Sequence, residues 1–381
     1  MERRLDDGDS VYNRWEMPLL KKLIFFTFMF VVFIVSSVLL SEIMLRVAGW
    51  GRSQELHTAS QEVFDSIPGM FEPGQHFINL SKPQLPHRIS INSLGFRGPE
   101  VRLSEGNLRI LCLGDSFTFG DYVSDDETFP YMLKKLFDEK FPGRIEVMNA
   151  GVGGTTIVDQ LNFLQKSLRV HPDVVVLTFY ENDISGLSRD VPMHVEFERN
   201  RKLKSKPGVN LLYGLVRDSA LFAFALEARA KLATPESHQS EDRAHPDGSQ
   251  TFCDEKLLKA YEGYLREMKS LSDSHSMKLM LALYPSHHRW TRPYDDGCGA
   301  SRNQLDRVEQ IATGLGIAAL NLLPTLKQSN VDVRQLYLLP YDGHASKEAN
   351  RIVASAIYGF LQDRFTQVFD NATDKPGAHS H

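Results

Sequence analysis

The stretch Leu111-Cys-Leu-Gly-Asp-Ser-Phe-Thr-Phe-Gly120 decides how this chain is read. An apolar, β-like run breaks at Gly114-Asp115-Ser116, and a helix-like segment soon follows, so a serine is presented at the carboxyl end of a strand. In open α/β sheets ligands bind at that edge, which makes Ser116 a candidate nucleophile. The spacing on either side fits such a sheet. Strands are predicted at Arg109–Leu113, Ile145–Met148, Val174–Phe179, Lys278–Leu283 and Ile317–Asn321. Between and after them the pattern predicts helices near Glu127–Lys140, Ile157–Leu168, Glu255–Leu271, Asn303–Leu315 and Lys347–Phe365. Alternating β and α at this spacing predicts a parallel sheet of about five strands with helices on both faces.

The 381 residues are 42% apolar and 24% charged, an ordinary globular balance, and the net charge is -5. No long basic stripe or aromatic-basic interleaving supports a nucleic-acid partner. One segment departs from the average. Leu23 to Leu40 is uncharged and rich in Phe, Val, Ile and Leu, and apolar character resumes after Glu42. A run of this length is expected to span a bilayer uncleaved, because it exceeds a signal core and no small-x-small cleavage site follows. Lys21, Lys22, Arg14, Arg3 and Arg4 precede it, whereas Arg46 and Arg52 follow. That asymmetry favours an inside amino terminus, a single-pass inner-membrane protein and an extracytoplasmic main domain.

The expected organisation is a tail over 1–22, a transmembrane helix over 23–45, and a segment over 46–106 packed on the main domain. The main domain covers 107–365 with an insertion at about 185–252, and a disordered tail covers 366–381. Within the insertion, a helical stretch is expected near Leu211–Leu232 and a mobile loop over Thr234–Gln250. The basic run Arg199, Arg201, Lys202, Lys204 and Lys206 reads as a solvated face. Cys112 reads as a core residue, and pairing of Cys253 with Cys298 is left open.

Activating a serine hydroxyl requires a base, a group that orients the base, and donors for the oxyanion. His344 in Tyr341-Asp342-Gly343-His344 lies just before the last helix, and Asp342 is placed to accept from its Nδ1. Asn182 in Tyr180-Glu181-Asn182-Asp183 follows the third strand and emerges at the same sheet edge as Ser116. The second strand ends in the glycine-rich turn Asn149-Ala-Gly-Val-Gly-Gly-Thr-Thr156, whose backbone N–H groups are candidate donors. Neither this turn nor Gly114 to Gly120 has a P-loop ending or a dinucleotide fingerprint. His287 and His288 lack a third ligand and read as a solvent-exposed pair, so no metal site is expected.

These four blocks, in this order, resemble the SGNH hydrolase superfamily, the GDSL-type esterases, over about residues 107 to 363 without the insertion. Gly114-Asp115-Ser116 resembles the nucleophile block. Matching the Asn-Ala start of the glycine block puts the oxyanion glycine at Gly154. Asn182-Asp183 resembles the asparagine block, and Asp342-Gly343-His344 the terminal Asp/His block. Two positions depart from the pattern: Tyr180 stands where a glycine is usual, and Asp342 lies two rather than three residues before His344. The resemblance implies a three-layer α/β/α flavodoxin-like domain cleaving esters with no metal or nucleotide. Ser116, His344 and Asp342 would be catalytic, and Ser116 N–H, Gly154 N–H and Asn182 would hold the oxyanion. With an extracytoplasmic domain, the expected substrate is an O-acyl, chiefly O-acetyl, ester on an envelope or extracellular glycan. Alternatives are acyl transfer to a glycan hydroxyl and a non-catalytic glycan-binding or assembly protein.

Overall fold

The structure, a computed structural model, describes residues 18–48, 56–82, 84–217, 219–232, 254–290 and 304–369. Two antiparallel strands come first, β1 (His76–Asn79) and β2 (His87–Ser90). They form a hairpin in the segment ahead of the main domain, where the sequence pattern predicts no strands. Five strands then build the parallel sheet: β3 (Leu108–Leu113), β4 (Ile145–Asn149), β5 (Val174–Tyr180), β6 (Lys278–Tyr284) and β7 (Ala318–Asn321), in the order β4-β3-β5-β6-β7. The expected five-strand α/β architecture is therefore present.

The strands are near-continuous apolar runs because both faces of the sheet are covered. Leu111 and Leu113, Val175, Leu177 and Phe179, and Leu279, Leu281 and Leu283 join one core. That core meets helices Ile157–Ser167, Glu255–Ser274 and Gln304–Gly314 through Leu161, Leu164, Leu265 and Val308. Alternate residues Ile110, Cys112, Val174, Val176, Met280 and Ala282 enter the other core with helices Phe129–Lys140 and Lys347–Arg364. The period-2 split of each strand between two cores makes the three layers. Cys112 is fully buried and free, and burial pushes its thiol far up; Cys253 and Cys298 lie outside the described residues.

Several local expectations shift. Asp125–Glu127 is a 3₁₀ turn, and the helix after it starts at Phe129 with Thr128 as its N-cap. Packing continues past residue 365, where the tail was expected to begin: Phe369 is buried and stacks on Phe137, with centroids 5.2 Å apart, and 370–381 lie outside the described residues. Among its described residues the insertion includes the α-helices Met193–Lys204, Pro207–Arg217 and Ala220–Leu232, while Thr234–Gln250 lies outside the described residues. Its basic run is not wholly solvated. Arg201 is buried with its guanidinium 3.6 Å from the Phe64 ring centroid, whereas Arg199, Lys202 and Lys206 are exposed.

The chain divides into two compact units, Met1–Ser53 with Gly214–Leu232, and Gln54–Tyr213 with Ala233–His381. In the first, the 29-residue helix Leu19–Val47 is long and apolar enough to cross a membrane, and none of its residues is buried. Its Glu42 carboxylate accepts hydrogen bonds from Ser219 Oγ, Ala220 N and Leu221 N at 2.8, 2.8 and 2.9 Å. It thereby caps the start of helix Ala220–Leu232 from another helix. The second unit contains the sheet and the candidate site.

Candidate active site

With β3 between β4 and β5, the chain runs from β3 to β4 on one side and then returns past β3 to β5 on the other. The carboxyl ends of β3 and β5 therefore flank the topological switch point, where open α/β sheets hold ligands. Ser116 follows β3 there as the first residue of the short helix Ser116–Phe119, and Asn182 follows β5. Asp115 starts the short helix by accepting from Phe117 N at 2.9 Å.

The glycine block docks onto this helix. Asn149 Nδ2 donates to Phe119 O at 3.1 Å, and Gly151 N donates back to Asn149 Oδ1 at 3.0 Å. A Cβ on Gly151 would lie 2.1 Å from Phe119 N, so only glycine permits this approach. Gly154 adopts φ +73°, and its carbonyl accepts from Arg189 Nη1 at 2.6 Å. Among the described residues, neither the Ser116 nor the Gly154 N–H donates to another protein group.

Asp342 and His344 lie on the loop before helix Lys347–Arg364, which Leu338 brackets: its N–H donates to His344 O and its carbonyl accepts from Asp342 N, both at 3.0 Å. His344 Nε2 stands 2.8 Å from Ser116 Oγ, and its Nδ1 is 2.5 Å from Asp342 Oδ1. The same Asp342 oxygen accepts from the His344 backbone N–H at 2.8 Å. This explains the shortened Asp-to-His spacing. Two residues back, an Asp side chain closes a local turn onto the backbone N–H of the very residue whose ring it also holds. The spacing departs from the pattern, yet the pairing is made.

Charge around the imidazole is strongly biased. Burial lowers the His344 pKa, but the Asp342 hydrogen bond and the charges of Asp121, Asp342 and Asp115 outweigh it and raise the net value. For Asp342, burial acts upward and is overcome by hydrogen bonds from His344 and Lys82, which hold the carboxyl below the usual carboxylate range. Asp121 Oδ2 lies 4.0 Å from His344 Nε2, and burial raises this acid. Next to Ser116, burial pushes fully buried Asp115 up to about 6, against the lowering influence of the Phe117 N–H, the His344 charge and the Asn182 side chain. Asp183 is also raised, first by burial and then by Asp115. Together the arrangement provides a serine hydroxyl with an imidazole nitrogen on it and a carboxylate on the other ring nitrogen, a geometry suited to acyl transfer.

Other residues take places the sequence did not announce. Tyr180 stacks on Phe117 with centroids 3.9 Å apart, and Phe117 also meets Tyr284 and His344. His287 is half-buried and His288 exposed. Their rings lie 3.9 Å apart in a 3₁₀ turn rather than pointing apart as in extended chain. His287 packs so close to Gly343 that a Cβ there would lie 2.9 Å from its Cε1. Arg97, buried, pairs with Asp125 at 2.8 Å and donates to Phe119 O, Gly120 O and Val123 O at 2.9, 2.6 and 2.6 Å. It thereby holds the carbonyls at the end of helix Ser116–Phe119 and in the turn after it. The sequence pattern gave no signal for it. Lys82 and Asp121 carried none. Among the described residues, no group of three or more His, Cys, Asp or Glu side chains is placed to hold a metal ion.

Comparison with curated proteins gives no match. Similar solved structures include the psychrotrophic esterase EstA from Pseudoalteromonas sp., 15% identical, covering 68% of this chain and 100% of that one, with TM-score 0.41. An acetyl xylan esterase, AlAXEase, is 16% identical and covers 66% of this chain and 98% of its own, with TM-score 0.41. A lipase/acylhydrolase from Enterococcus faecalis is 14% identical and covers 68% and 96%, with TM-score 0.40. The family model of the GDSL-like lipases and acylhydrolases matches residues 112–352, well over half of the sequence and all four blocks, and the chain belongs to that family.

Proposed function

We propose that this esterase cleaves an O-acetyl ester on an envelope or extracellular glycan, with Ser116 as nucleophile, His344 as base and then acid, and Asp342 holding the imidazole. The observation that carries the reading is the unbroken line Ser116 Oγ, His344 Nε2, His344 Nδ1, Asp342 Oδ1, at 2.8 and 2.5 Å. Ser116 Oγ attacks the ester carbonyl as its proton passes to His344 Nε2. The oxyanion forms against the N–H groups of Ser116 and Gly154 and the Asn182 carboxamide. Collapse expels the alcohol, which takes the proton from Nε2, and water then releases the acid by the same route. Tyr180, standing where the family pattern has a glycine, stacks on Phe117, the residue after Ser116, which supports a small acyl group. The Asp121 carboxylate near His344 supports a hydroxyl-rich alcohol portion that donates hydrogen bonds to it. Helix Leu19–Val47 tethers the domain to the outer face of the inner membrane.

The test uses the full chain in detergent. Hydrolysis of p-nitrophenyl acetate, butyrate and octanoate is measured alongside acetate release from an acetylated polysaccharide, with and without a deacetylated acceptor glycan. Acetate esters are expected to turn over fastest, and Ser116→Ala to abolish turnover. Full activity of Ser116→Ala overturns the mechanism; acetylated acceptor in place of free acetate makes the enzyme a transferase. Protection of the main domain from protease added to spheroplasts reverses the orientation.

A further inference from the structure

The turn between β1 and β2 sends a lysine into the catalytic line. Lys82 Nζ pairs with Asp342 Oδ2, the oxygen facing away from His344, and it is the only donor to that oxygen among the described residues. The ammonium also lies 4.4 Å from the Tyr122 ring centroid and 3.4 Å from Tyr341 O. Its side chain is 23% exposed, and that of Asp342 only 5%. The backbone beneath it is braced: Leu85 N donates to Lys82 O at 2.9 Å, and Ser81 N to Asn79 Oδ1 at 2.8 Å. β2 in turn is pinned by Arg88 N on Ser124 Oγ at 3.2 Å and by buried Ile89. The lysine therefore reaches Asp342 from an element anchored independently of the Asp342 loop.

We propose that Lys82 is a positioning residue for the reaction, fixing the Asp342 carboxylate so that its inner oxygen stays on His344 Nδ1. The proposal rests on the esterase reading of Ser116 and His344. A carboxylate hydrogen-bonded through one oxygen only can swing about its terminal torsion; a cation on the second oxygen removes that freedom. The lysine also sets the charge that the imidazole meets. His344 is faced by Asp342 on its own loop and by Asp115 and Asp121 on the nucleophile segment, and Asp121 in turn feels Arg97 and His87. Against three carboxylates, Lys82 is the cation bonded directly to the one that orients the base. Removing it leaves His344 easier to protonate. Because His344 must be neutral to accept the Ser116 proton, the acid limb of the rate then moves to higher pH.

The experiment reads the rate of Ser116 phosphonylation by a fluorophosphonate as a function of pH, which needs no knowledge of the substrate. For Lys82→Met we expect a plateau lowered about 10- to 100-fold by misplacement of the base. The acid limb should move up by about one pH unit, and Lys82→Arg should restore the wild-type limb. If Lys82→Met does not fold, Lys82→Gln, which keeps a donor without charge, carries the same expectation for the limb. A neutral variant that reacts like wild type, or that loses rate without moving the limb, overturns the proposal and leaves the esterase reading standing. Failure of wild-type Ser116 to react at all overturns both.

Discussion

Replacing Asp342 with Asn tests the triad most severely, because this side chain is almost isosteric with Asp and leaves the fold alone. Asp342 Oδ1 accepts from both the His344 backbone N–H and its ring, while Lys82 donates to Oδ2. An amide has one acceptor and one donor end. With its oxygen toward His344, its NH₂ meets the Lys82 ammonium donor to donor. With its oxygen toward Lys82, its NH₂ meets the His344 backbone N–H and selects the tautomer that carries hydrogen on Nε2, which cannot take the Ser116 proton. Either orientation leaves a clash, and both remove the charge that stabilises the imidazolium. A loss of about 10⁴ in kcat, or roughly 5.4 kcal/mol of barrier, is expected. The sign for pH follows from the same contact. Asp342 raises the His344 pKa, so its neutralisation moves the acid limb of kcat/KM to lower pH, opposite to the shift expected on removing Lys82. The assay is steady-state hydrolysis of p-nitrophenyl acetate from pH 4 to 9. Near-wild-type turnover, or a loss with an unmoved acid limb, refutes the role given to Asp342.

Asn182→Ala is expected to lower kcat by about 10²- to 10³-fold, roughly 2.7 to 4 kcal/mol, with little change in KM, measured on the same ester. An equal loss in binding alone would remove Asn182 from the oxyanion site. Arg97→Met removes a buried guanidinium that pairs with Asp125 and donates to the carbonyls of Arg88, Phe119, Gly120 and Val123. A destabilisation of about 3–5 kcal/mol is expected by urea unfolding, and an unchanged midpoint would contradict the bracing role. Because the His344 pKa is raised on folding, its protonation stabilises the fold below the unfolded-state pKa, and that stabilisation fades as pH rises through the folded value. The difference in unfolding free energy between wild type and His344→Asn should accordingly be largest in the acidic range and shrink toward pH 9. A pH-independent difference would show that the pair does not hold charge in the folded state.

Local chemistry made much of this protein legible from sequence. Each strand of the parallel sheet announced itself as an apolar run, because a sheet covered on both faces leaves no polar alternation; three blocks sat where such a strand ends and the fourth just before the last helix. Ser116, Asp342 and His344, which the structure brings into contact, could be singled out that way, since each candidate depends on a few neighbouring residues. The Asp342 spacing looked irregular because the linear pattern does not show that an Asp two residues back can bond a backbone N–H and a ring together.

What sequence alone determined is therefore the sheet, its two covered faces and the set of groups delivered to one edge, since hydrophobic period and turn chemistry are local properties. Only the tertiary structure decided how those groups are charged and held. Lys82 reaches Asp342 across 260 residues of chain, Arg97 reaches the carbonyls of Phe119, Gly120 and Val123, and Tyr180 stacks on Phe117. A lone lysine in a hairpin turn has no periodicity or motif to mark it. Its partner is set by the docking of the hairpin onto the main domain, and burial makes that one contact electrostatically strong.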